Sequence, residues 1–252
     1  MKEFFDSHAH LQHEQFNRDR SRVIEDALAS GVSRILNVGY DIKSSRKAIE
    51  LSDKYDFMYA AVGIHPHDAR DLTSSALKEL EDMADHPMVV ALGETGLDYY
   101  RDLSPRDVQR RAFRWQLDLA ASLNLPVILH VREAHRDAIE ILKAWGRGDG
   151  VMHCFSGSAD DARVFLGLGL KLGFTGSLTF GSRRLESVAR DSPATEILIE
   201  TDCPYLVPRP KTGRNEPSNL LLVCEKISEA RGIGPGDCAE ITTANAASLF
   251  RV

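Results

Sequence analysis

Eight short apolar or β-branched runs, each followed by a stretch with helical spacing, constrain this chain more than any other feature of its sequence. The runs lie at 4–10, 34–39, 58–63, 89–94, 126–131, 150–155, 170–176 and 197–202. Alternation of this kind implies parallel pairing, because a parallel crossover needs about a dozen residues or more. Several runs (VVAL, PVIL, ILI) are apolar throughout, as strands buried on both faces are. Helices are expected over Arg18–Ser30, Ser44–Tyr55, Ser75–His86, Pro105–Asn124 and Ala134–Trp145, more weakly after the sixth and seventh runs, then at Ser218–Ala230 and Pro235–Phe250. Val23, Ile24, Ala27 and Leu28 keep helical spacing and stop at Gly31, and Ser104 is a candidate cap before Pro105. No GxGxxG turn follows the first run to favour an open doubly wound sheet. Eight units within 252 residues favour closure, so the expected fold is α/β, a single (β/α)8 TIM barrel forming one domain over 1–252.

Composition narrows the partners. Lys and Arg number 31 against 37 Asp and Glu, a net charge of −6, which argues against coating duplex DNA by charge alone but leaves room for gripping a short nucleic-acid end. The 43% of hydrophobic residues can fill a core, and no run approaches the roughly 20 apolar residues of a membrane span. The charged start MKEFFDSHAH does not read as a secretory signal, so a cytoplasmic location without membrane association is expected. Cys154, Cys203, Cys224 and Cys238 form no CxxC pattern and read as reduced thiols. Nothing in the sequence marks an obligate protein partner.

The metal-capable residues fall at the ends of the expected strands. His8 and His10 end the first, Glu94 the fourth, His130 and His153 lie near the ends of the fifth and sixth, and Asp202 ends the eighth. Barrel enzymes assemble their sites at this rim. His8 and His10 are two apart, so a strand directs both to one side, with Asp6 one step deeper on that side. Two roles are open to Asp6, orienting a ligating histidine or serving as a buried hydrogen-bonded group. Any one of these histidines would be unremarkable, but four imidazoles and two carboxylates exceed what one tetrahedral ion uses. Two ions sharing Glu94, whose two oxygens both accept, account for the number.

The strings DSHAHL, GIHPHD, GETGLDYYRD, LHVRE, MHCFSG, ETDCPYL and GRNEP, with TANAASLF at 243–250, resemble the successive signatures of the TatD family of metal-dependent deoxyribonucleases, amidohydrolase-type barrels. The resemblance implies a dinuclear site, one ion held by His8, His10, Glu94 and Asp202 and the second by Glu94, His130 and His153. Cys203 departs from the family, which more often has Ser or Ala there, and bears on tolerance to oxidation and soft metals. In the second HxH, Pro66 makes His65–His67 a rigid turn. His65 is then a candidate phosphate contact, a role the resemblance supports, against a turn whose imidazoles cap backbone groups. His13, His86 and His135 read as structural.

Hydrolysis of a DNA phosphodiester by a hydroxide bridging two divalent ions (Zn²⁺, Mn²⁺ or Mg²⁺) follows as the expected activity, with Asp202 and Glu94 catalytic. Single-stranded DNA or short ends are the expected partner. Arg101, Arg106, Arg110, Arg111 and Arg114 follow the fourth strand, and Arg209, Lys211 and Arg214 the eighth. The second group, in a Pro/Gly-rich loop, suits a phosphate backbone; Arg132 lies nearer the centre, and Tyr99 is available for stacking. Asn215 and Glu216 either order that loop or touch substrate. The same metals would also serve a hydrolase of another ester or amide, such as an aminoacyl-tRNA deacylase; a binding protein that keeps the metals is the weaker rival.

Overall fold

In the computed structural model, which describes residues 3–252, eight parallel strands lie in chain order in one sheet. They are β1 (Phe4–Ala9), β2 (Val32–Val38), β3 (Met58–Val62), β4 (Val89–Asp98), β5 (Val127–Arg132), β6 (Gly150–His153), β7 (Lys171–Phe174) and β8 (Ile197–Ile199). β8 is short, and backbone bonds just beyond it close the barrel onto β1: Asp202 N–H donates to His8 O and His10 N–H to Cys203 O, both at 2.9 Å. The helices are α1 (Arg20–Ala29), α2 (Ile42–Lys54), α3 (Ser74–Ala84), α4 (Arg106–Leu123), α5 (His135–Trp145), α6 (Ala159–Gly167), α7 (Arg183–Asp191), α8 (Leu220–Arg231) and α9 (Pro235–Phe250). The expected TIM barrel is the fold observed.

Local chemistry sets the boundaries. α2 starts two residues before the expected Ser44 because Asp41 caps it, accepting from Ser44 N–H while the Ser44 side chain answers the cap backbone. Ser104 does not cap α4: its hydroxyl donates to His67 O at 2.7 Å, and Pro105 occupies the cap position. β4 runs four residues beyond the expected end at Glu94, so Glu94 is mid-strand and Asp98 ends it. Gly96 permits this: at φ 142° a Cβ would come within 2.0 Å of His130 O.

The barrel's N-terminal floor is apolar. Phe5, Leu36, Val38, Ala61, Ala91, Ile128, Val151 and Leu198 pack inside, and α9 closes the end with Leu249 and Phe250. Asn245 fastens α9 by donating to Ala194 O and Ile197 O at 2.7 and 2.9 Å. Each Val, Leu, Ile or Phe side chain of that floor taken from water contributes about 1.5–3 kcal/mol. That leaves the opposite rim free to be polar.

Candidate metal centre

A register shift between Asp6 and Ala9 breaks the two-residue alternation of β1. Asp6 therefore does not share the face of His8 and His10. It accepts Thr201 N–H at 2.9 Å and the Thr201 hydroxyl in the β1–β8 seam, wholly buried. Of the two roles open to it, the structure supports the buried hydrogen-bonded group. His8 and His10 turn together into the mouth, their Nε2 atoms 3.2 Å apart. Glu94 reaches them from β4, His130 from β5 and His153 from β6, while Asp202 stands just past β8 at φ 56°.

Glu94 faces two ways. Its Oε2 lies 3.5 and 3.8 Å from Nε2 of His8 and His10. Its Oε1 lies 2.9 Å from His130 Nδ1, 3.6 Å from His65 Nε2 and 3.9 Å from His153 Nε2. Asp202 Oδ1 completes the first set at 3.4 Å from His10 Nε2 and 3.9 Å from His8 Nε2, and it is 3.7 Å from His153 Nε2. All of these side chains are buried or nearly so.

The outer nitrogens of His10, His130 and His153 each lie against an oxygen that aims the inner one, whereas His8 Nδ1 is buried without a hydrogen-bond partner. His10 Nδ1–H donates to Val38 O at 2.7 Å, leaving Nε2 as the inward lone pair. His153 Nδ1 sits 2.8 Å from Glu200 Oε1, and His130 Nε2 sits 3.2 Å from Asp98 Oδ2. Carboxylate or carbonyl support of the far nitrogen is how proteins orient metal-ligating histidines. Inward lone pairs at contact distance repel one another unless a cation lies between them, so this donor set fits divalent ions. His8, His10 and Asp202 form one group able to hold an ion, and His8, Glu94 and His153 or His65, Glu94 and His130 form others.

Charge follows the same geometry. Burial, reinforced by the neighbouring His153, pushes the His8 pKa down to about 3. Burial works against a proton on His153 too, but Glu200 and Asp202 outweigh it and lift the ring to about 10. The two rings stack at 3.5 Å, so one positive charge excludes the other. Burial would raise Glu94, yet the surrounding histidines hold it well below the usual carboxylate range.

Comparison with known proteins agrees. A sequence model described as TatD related DNase matches residues 5–251. The chain belongs to the TatD family. It is 45% identical over 252 residues to an uncharacterized metal-dependent hydrolase, YabD, of Bacillus subtilis, covering 98% of this chain and 99% of that one. It is 37% identical to a 3'-5' ssDNA/RNA exonuclease TatD of Salmonella typhimurium, covering 98% and 99% of the two chains. A crystal structure of the TatD homolog YJJV from Escherichia coli superposes with a TM-score of 0.93 at 30% identity, over 99% of this chain and 98% of that one.

The remaining residues singled out in the sequence are placed unevenly. His65 and Arg132 line the cleft above the cluster. Tyr99 does not: its hydroxyl donates to Asp137 at 2.7 Å, and Arg106 lies over its ring at 4.3 Å. Arg214 is likewise turned away, forked onto Asp19 at 2.8 and 3.0 Å and bound to Glu216 at 2.7 Å. Asn215 orders the loop by donating to Thr201 O at 2.9 Å. Cys203 is buried in the β1–β8 seam, whereas Cys154 lines the cleft. His13 and His86 serve locally, His13 accepting Gln15 N–H and His86 pairing with Asp53.

Two carboxylates escaped sequence reasoning. Glu200 is fully buried, accepts Cys154 N–H at 2.6 Å, and fits only because Gly173 has no Cβ, which would lie 2.7 Å from its Oε2. Asp98, also buried, accepts from Tyr100 and Arg101 N–H at 2.9 and 2.7 Å and faces His67 Nε2 at 2.9 Å as well as His130. For Glu200 the available signal was a charge inside the apolar run 197–202; Asp98, four residues past the run 89–94, gave none. Burying them without a partner would be too costly.

Proposed function

We propose that this single-domain chain is a metal-dependent deoxyribonuclease of exonuclease type, acting on single-stranded DNA or short ends in the cytoplasm. Two divalent ions, Zn²⁺, Mn²⁺ or Mg²⁺, fit the donor arrangement. The first falls to His8, His10, Glu94 and Asp202, the second to Glu94, His130 and His153. The observation that carries this reading is Glu94, whose two oxygens face two separate donor sets. The relatives' activity on single-stranded nucleic acid supports the substrate. When bound, such ions lower the pKa of water and neutralise charge on a phosphoryl group.

The chain's own residues account for the rest. His65 Nδ1 accepts His67 N–H at 3.2 Å, which puts the proton on Nε2. Burial, with His130 beside it, holds His65 well below its ordinary pKa, so at neutral pH it is an uncharged donor. It can donate to a phosphate oxygen without adding charge. Asp202, at the mouth, takes the proton of the attacking water and returns it to the leaving oxygen. Arg132 contributes positive charge at the cleft wall. The cleft, of about 600 Å³, has room for a nucleotide.

An acyl hydrolase on the same donors is the alternative; the relatives named as exonucleases favour the phosphodiester. Metal content and turnover of single-stranded DNA, RNA and aminoacyl-tRNA, measured at equal metal on wild type, Glu94→Ala and Asp202→Asn, test the reading. It expects DNA cleavage that both substitutions abolish. Near-normal turnover in either variant, or preferential deacylation, overturns it.

A further inference from the structure

The large hydrophobic side chains exposed among the described residues are Leu28, Tyr100, Leu103, Phe180 and Tyr205. All but Leu28 lie on the segments following β4, β7 and β8, at the catalytic rim, Phe180 closing a short 3-10 turn. Four of the five thus gather at one rim, as large apolar side chains kept for contact do. Strands four apart in a closed eight-stranded barrel stand on opposite walls, so the segments that follow β4 and β8, which carry Tyr100 and Tyr205, rise from opposite sides of the mouth.

Each wall also carries cations without carboxylate partners. Arg132 lines the cleft and lies 3.9 Å over the Tyr100 ring; Arg209 lies 5.5 Å over Phe180. Among the described residues neither guanidinium pairs with a carboxylate, whereas Arg106, Arg110 and Arg214 all do. Tyr205 is 47% exposed and lines the cleft beside His10 at 6.1 Å between ring centroids. Its loop is held firm: Tyr205 N–H donates to Asp202 O at 2.9 Å and Asn215 N–H to Pro204 O at 3.1 Å. Flat aromatic faces beside free cations are complementary to bases joined by phosphates.

We propose that these walls are two base-stacking subsites flanking the bond to be cut, Tyr205 forming one and the Tyr100–Arg132 pair the other. They take an unpaired strand, because bases in a duplex have their faces covered. The proposal rests on the nuclease reading and names how that site holds its substrate. Stacking reads the π-face common to every base, so the subsites are indifferent to sequence.

Binding of labelled single-stranded oligonucleotides to metal-loaded protein, read by fluorescence anisotropy, tests this with intact strands and strands abasic at either nucleotide flanking the scissile bond. Tyr205→Ala and Tyr100→Ala should each weaken intact strands about ten-fold. Each should add no further loss when the base it stacks is missing, and Tyr205→Trp should restore affinity. Equal binding of intact and abasic strands by wild type, additive losses, or equal affinity for a blunt hairpin would overturn the subsites. Because binding is read apart from turnover, a protein that binds with this pattern but cuts nothing refutes the nuclease reading while sustaining the stacking walls.

Discussion

At the floor of the barrel the Phe250 ring of α9 packs 6.0 Å from Phe5 in an apolar layer, whereas at the mouth His8 and His10 face each other at 3.2 Å beside two buried carboxylates. The floor gains by removing apolar surface from water. The mouth does the reverse, holding desolvated imidazoles and carboxylates whose inward donor atoms crowd one another and suit a cation between them. One end stabilises the fold and the other spends stability on a site that binds ions.

The largest effect should come from breaking the mouth. Glu94→Ala removes the carboxylate shared by both donor sets and should cost about 10⁴-fold in turnover, ~5.5 kcal/mol of barrier. Circular dichroism should remain that of wild type, since the floor is untouched. A collapse of secondary structure would show that the two ends are not separable. The converse substitution, Phe250→Ala, should cost about 3–5 kcal/mol of stability while leaving metal content and turnover per folded molecule near wild type. Calorimetry beside a metal assay checks it.

Smaller effects sharpen the contrast. Glu200→Gln should weaken metal affinity about 10- to 100-fold, because the amide can accept from His153 but not offset its charge. Chelator competition measures this. Arg214→Ala should cost at most about 1 kcal/mol, as expected of a partly exposed pair. Its pH dependence has a definite sign. Arg214 and Arg22 hold the Asp19 carboxyl well below the usual range, so the pair's contribution is present above the ordinary carboxylate pKa of about 3.9. It is lost as pH falls through the depressed value. The stability gap between wild type and variant should be flat from about pH 5 to 7 and should narrow only in acid; a gap that grew in acid would assign another role to the pair. Tyr99→Phe should change strand binding least, since its hydroxyl serves Asp137 and its ring serves Arg106.

How far the site was legible depended on range. The HxH of His8 and His10, and Glu94, His130, His153 and Asp202, stood out because polar ligand types terminate apolar runs. The parity argument for Asp6 failed because a bulge in β1 changes which face a residue takes. Tyr99 and Arg214 had the right chemistry and the right loops, but pairing with Asp137 and Asp19 turned them away. Cys224 and Cys238 carry no pairing signal in their spacing, and in the structure they are buried thiols on α8 and α9.

By itself, the sequence determined the eightfold alternation, the barrel and the six donors at its rim, because hydrophobic periodicity and strand ends are local properties. Only the tertiary structure decided which oxygen of Glu94 faces which histidines, that Glu200 and Asp98 anchor the outer nitrogens, and which arginines remain unpaired. Those outcomes depend on register shifts and on contacts between residues up to about two hundred positions apart, where angstrom-scale separation chooses each partner.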